Sequence, residues 1–109
     1  MKLLTKEIEN KLARYPIGSQ DGKGGNAKVL VKFFYPFGTG TWLVTEAEKQ
    51  GDDWLFFEFC DLGFPEWGYF YYSEIKSIKW MERDYYPPKT VAEAYPDEFP
   101  GIKELQLAK

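Results

Sequence analysis

The chain has no histidine, and Cys60 is the only cysteine among its 109 residues. Without an imidazole, neither a serine nor a cysteine nucleophile has its usual base, and the common Cys/His sets for zinc cannot be assembled. A lone cysteine permits no disulfide within the chain. Cys60 lies between Phe59 and Asp61 in a strand-like run and reads as a small buried hydrophobe. No apolar run approaches the ~20 residues of a membrane helix. The opening "MKLLTKEIENKL" is broken by charge too often for a signal peptide. These features predict a soluble cytoplasmic protein with no membrane association. No motif calls for a cofactor or a metal.

A basic footprint is also lacking. Net charge is −3, and it is unevenly spread. From Glu46 to Glu74 eight acids face one base, Lys49, giving that segment −7 and the remainder +4. Ring stacking on nucleic acid needs cations beside the rings to hold phosphates. Here the acidic segment is the aromatic one, so direct nucleic-acid binding is not expected.

Aromatic residues are abundant, at 19% of the chain. In "DDWLFFEFCDLGFPEWGYFYY", Asp52 to Tyr72, ten of twenty-one residues are Trp, Phe or Tyr. Each ring can bury about 150–250 Å², so a few can dominate a core. The length fits one domain, 1–109, large enough for a core without staples.

Leu4, Ile8, Leu12 and Tyr15 recur at helical spacing, with Thr5 placed to cap and Pro16 to stop the helix. The polar "GSQDGKGGN" from Gly18 to Asn26 reads as a flexible connection. It has neither Walker spacing nor a complete dinucleotide fingerprint. Strand-like runs follow at Lys28–Pro36, Gly40–Glu46 and Asp53–Leu62, then "WGYFYYS" after the turn "LGFPE". Short connections between them favour an antiparallel meander. Ser73 is placed to cap a short helix with Ile75 and Ile78 inward. "ERDYYPPK" reads as an extended segment. Thr90 and Glu93 have capping-box spacing ahead of a helix that Pro96 stops. The tail "DEFPGIKELQLAK" offers at most a marginal helical turn or two.

Side chains alternate across a strand. One face collects Val29, Val31, Phe33, Leu43, Leu55, Phe57 and Phe59, carries no charge, and reads as the main core. The other mixes large rings with acids: Trp42, Trp54, Phe56, Glu58 and Cys60. On this reading the mixed face is at least partly open. With Trp67 in the loop "GFPEWG", it offers a partner-binding surface of Trp42, Trp54, Phe56, Glu58 and Trp67. Trp and Tyr are favoured anchors because they present large area with few rotamers to freeze.

Three other chemistries are weaker. Asp61 followed by Glu74-Ile75-Lys76 imitates the acid…E-x-K set of a metal-dependent nuclease, although E-x-K is common by chance. Glu58 paired with Asp61 or Glu66 would need a cleft and one raised pKa to act as acid and base. The −7 segment suggests an acidic DNA mimic, but a net charge of −3 is low for one.

In order, "MKLLTKEI", "VKFFYP", "TWLVTE", "DWLFFEF", "GYFYYSEI" and "ERDYYPP" resemble a family of small bacterial proteins catalogued as a domain of unknown function. The match spans about residues 1–88, leaving 89–109 as an extension. The resemblance implies an accessory protein of plasmids, phages or integrative elements, one that meets host defence or DNA-processing machinery. It brings no catalytic residues. The expectation is therefore an α+β domain with about four antiparallel strands, an N-terminal helix on the sheet and short C-terminal helices. Its expected function is non-enzymatic binding of a protein partner.

Overall fold

The computed structural model describes residues 2–100. Helix α1, Lys6–Ala13, starts where Thr5 accepts a hydrogen bond from the Ile8 amide at 3.2 Å. Glu7 and Glu9 in its first turn complement the helix dipole. Four strands then form the expected meander: β1 Val31–Phe34, β2 Thr41–Gln50, β3 Asp53–Asp61 and β4 Pro65–Tyr71. Gly51, at φ 60°, turns β2 into β3, a conformation that glycine adopts without steric cost. Helix α2, Tyr72–Lys76, leaves β4 directly. A fifth strand, β5 Glu82–Arg83, pairs antiparallel with β1, and helix α3 covers Val91–Ala94. The sheet order is β4-β3-β2-β1-β5. The α+β architecture is as the sequence implies, with one strand more.

That extra strand is the "ERDYYPP" segment, docked by Phe33 opposite Arg83 and Phe34 opposite Glu82. Two residues are too few to show a period of their own.

Two cores flank the sheet. On one side α1 and α2 bring Leu4, Leu12 and Ile75 onto Val31, Phe33, Trp42, Val44, Trp54 and Phe56. On the other, Ala27, Val29, Leu43, Phe59 and Val91 pack together, with Trp67, Tyr95 and Phe99 against them. Residues 89–100 are thus built into the second core. Lys28 bridges Thr90, and the Val29 amide donates to the Lys89 carbonyl. The tail's expected helical turn beyond Pro100 lies outside the described residues.

The expected faces differ in two ways: Val31 and Phe33 lie opposite Val44 and Trp42 on the charge-bearing face, apart from Val29 and Leu43, and the weight of the core is reversed. The charge-bearing face is the larger, sealed core, because both helices cover it. Leu55 and Phe57, on the charge-free face, are only half-buried, because the covering loop does not reach that corner. Parity also breaks within β2. A bulge at Thr45 shifts the register between Val44 and Glu46, so Val44 faces Glu58 while Glu46 faces Phe57. Glu46 therefore leaves the Val44 face.

Candidate functional site

Four of the five expected partner-binding residues are interior. Trp42, Trp54, Phe56 and Glu58 are all at most 5% exposed. Trp54 lies under α1, where its indole N–H donates to Glu9 Oε1 at 3.2 Å and Lys49 sits over its ring. Phe56 stacks with Phe33 at 6.1 Å, and Trp42 meets Phe70 edge-on. These rings are core, and of the four only Trp42 borders an open cleft. Trp67 is half-buried; it stacks on Phe57 at 5.3 Å and on Phe59 edge-on.

Glu58 is buried with neither carboxylate oxygen hydrogen-bonded among the described residues, and the Trp42 indole N–H is likewise unpartnered. Burial, and secondarily the charge of Glu74, pushes the Glu58 carboxyl up to about 9, so it keeps its proton at neutral pH. Cys60 beside it is pushed up to about 12 by burial and by Glu58, Asp61 and Glu66, which leaves an inert thiol. Glu58 is fully buried among the described residues, so the acid/base pairing lacks access for a substrate.

The remaining acids have structural tasks. Asp53 accepts from the Ser73 hydroxyl and amide, and these bonds hold its carboxyl below its usual value. Ser73 thus ties α2 to β3 and does not cap the helix. Asp61 accepts from Tyr95 and from the Gly63 amide, while Glu74 accepts from the Tyr71 amide. The acid…E-x-K residues therefore serve a turn, an aromatic contact and a helix cap. Among the described residues no three Asp, Glu, Cys or His gather as a metal site. Glu46 and Glu58 are internal, which removes two of the eight acids of the −7 segment from the surface.

The glycine-rich loop is anchored to the sheet by hydrogen bonds. The Glu46 carboxylate accepts the amides of Gly18 at 2.8 Å and Gln20 at 2.7 Å. The buried Gln20 side chain donates to the carbonyls of Lys28 and Thr45 and accepts from the Lys28 amide. The loop does cradle an anion, and that anion is the protein's own carboxylate.

The open aromatic surface lies elsewhere, after α2. Trp80 is 60% exposed and has φ 72°, a left-handed backbone rare for a bulky residue. Phe37, 73% exposed, meets it edge-on at 6.3 Å, and Lys79 lies 4.9 Å over its ring. The Ile78-Lys79-Trp80 ridge separates two clefts. One, of about 650 Å³, is rimmed by Lys2, Lys76 and Lys79 with Glu82. The other, of about 570 Å³, is lined by Tyr35, Trp42, Leu62 and Phe70. None of the three lysines is in an ion pair among the described residues. Ile78, expected inward, is exposed because α2 ends at Lys76 and the chain turns outward. Nothing in the pattern "SIKWME" announces a left-handed tryptophan, so this site was not legible in the sequence.

No helix among the described residues is long and apolar enough to cross a membrane. No curated protein and no solved structure matches the chain. A family model described as "Protein of unknown function (DUF2958)" matches residues 3–86, and the chain belongs to that family.

Proposed function

We propose that the protein is a non-enzymatic binding module whose docking surface is the Trp80 ridge. The observation that carries this reading is Trp80 itself. A large ring is held in solvent by a strained backbone, flanked by two clefts and a second exposed ring. Strain of this kind persists where the surrounding structure imposes it, and it concentrates at recognition sites. The clefts differ in character. The cationic rim suits acidic side chains, and the Leu62–Phe70 cleft suits an apolar anchor. The partner is therefore a protein presenting an acidic segment with an apolar residue beside it. The resemblance to accessory proteins of mobile elements suggests that this partner belongs to host defence or DNA-processing machinery.

The test uses Trp80→Gly, which removes the ring and suits the left-handed backbone. Affinity capture from a bacterial host carrying such an element, followed by titration with the purified partner, should show binding to the native chain and none to the variant. Lys79→Glu should weaken binding, and added salt should do the same. Full binding by both variants overturns the reading. So does tighter binding of a single-stranded oligonucleotide than of any protein, because lysines beside exposed rings also suit that ligand.

A further inference from the structure

Among the described residues, the second open feature is the outer edge of β4. The sheet order leaves this seven-residue strand at one end of the sheet. Which of its peptide groups face outward follows from three hydrogen bonds. The Tyr35 amide donates to the Gly40 carbonyl, which sets the phase of β1 against β2. The Thr45 hydroxyl donates to the Phe57 carbonyl at 3.1 Å, so Phe57 turns its peptide groups toward β2. Tyr69, opposite Phe57, must then turn its own away from β3. The Tyr71 amide, two residues on, is in the same phase and donates to Glu74 Oε1 at 2.9 Å. The N–H and C=O groups of Trp67 and Tyr69 therefore face outward, bracketed by Pro65, which has no N–H, and by Tyr71, whose N–H is taken.

We propose that a second copy of this chain pairs on that edge, β4 antiparallel to β4 about a two-fold axis at Gly68. In this register Trp67 opposes Tyr69 of the second copy, and Tyr69 opposes its Trp67. All four outward groups of each copy are satisfied in four inter-chain bonds. Pro65 then opposes Tyr71, where one residue lacks a donor and the other has committed its own, so no amide is orphaned. An axis at Trp67 would set the Tyr69 carbonyl against Pro65, and one at Tyr69 would set the Trp67 carbonyl against the committed Tyr71 amide, so in either register one of these outward carbonyls finds no donor. The side chains agree. Phe57 already packs against Trp67 at 5.3 Å and Tyr69 at 5.0 Å, and the pairing extends that aromatic ladder across the axis. On the other face Glu66 opposes Phe70, so no like charges meet. A Cβ built on Gly68 meets nothing within 4 Å, which leaves room at the axis. The edge also lacks lysine, the usual guard against such pairing.

Sedimentation equilibrium over a wide concentration range, with amide hydrogen exchange at each end of it, tests the proposal. The native chain should dimerise, and the Trp67 and Tyr69 amides should gain protection as it does. Tyr69→Pro removes an outward donor from each copy while sparing the bonds to β3. It should weaken the dimer by about tenfold or more. Tyr69→Lys places an edge charge without touching the backbone and should also weaken it. A native chain that stays monomeric with both amides exchanging freely overturns the proposal, as does a dimer that both variants leave intact. Neither result bears on the Trp80 ridge, which Tyr69 does not line.

Discussion

Trp54 and Trp80 each carry a lysine over the ring, at 5.2 and 4.9 Å, yet they do opposite work. Trp54 is 5% exposed, its N–H bonded to Glu9 and its ring roofed by α1; Trp80 stands in solvent on a left-handed backbone. In sequence they differ in the reverse sense. Trp54 sits among acids and looks displayed, whereas Trp80 ends the short run "SEIKSIKW" and shows no sign of display. What separates them is the element overhead. Acids beside a ring show exposure only if no helix covers that face, and here two do. The ring–lysine motif is therefore a poor guide to function, and coverage is a good one.

Substitutions sharpen this contrast. Trp54→Ala should cost about 3–5 kcal/mol, since it empties a sealed site and strips Glu9 of its donor. A denaturant melt checks this, and a loss within the range of a surface change would restore Trp54 as a docking residue.

Glu58 gives the next largest effect, and its sign is unusual. The unfolded carboxyl ionises near 4.5 and the folded one near 9, so between these values the folded state keeps a proton that the unfolded state has released. Stability must then fall as pH rises from about 4.5 and level off above about 9. Glu58→Gln should flatten that slope and raise the melting temperature more at about pH 8 than at about pH 5. Equal shifts at both values would mean that the carboxyl is not held in its neutral form.

Glu46→Ala, on the other side of the sheet, should cost about 2 kcal/mol, because two loop amides lose their acceptor. It should also release the Gly18–Asn26 loop, visible as faster amide exchange at Gly18 and Gln20. An unchanged exchange rate there would mean that glycine-rich composition, and not the carboxylate, sets the loop's behaviour.

The same contrast shows what the sequence could reveal. Thr5, the first three meander strands and the Thr90 cap depend on local chemistry and appear where their residues indicate, whereas β4 starts at Pro65, inside the expected turn, which puts Trp67 in the strand and Tyr72 and Ser73 in α2. Three things do not depend on local chemistry. The bulge at Thr45 reverses parity for Glu46, and nothing in "LVTEAE" marks the extra residue. The two-residue β5 exists only because β1 is there to pair with it. Which face is sealed follows from where α1 and α2 lie, a tertiary choice that alternation cannot express. The docking surface fell with the third of these. Of its five expected residues only Trp67 retains partial exposure, while Trp80, Phe37 and Ile78 were placed elsewhere or passed over.

The central claim is that Trp54, Phe56 and Glu58 are closed off while the Trp80 ridge is open. Acrylamide quenching of tryptophan emission tests it most directly, comparing the native chain with Trp80→Gly and Trp54→Phe. Trp42 and Trp54 are enclosed and Trp67 is half-buried, so most readily quenched emission should vanish in Trp80→Gly and persist in Trp54→Phe. Quenching that survives the loss of Trp80 but disappears with Trp54 would contradict the account.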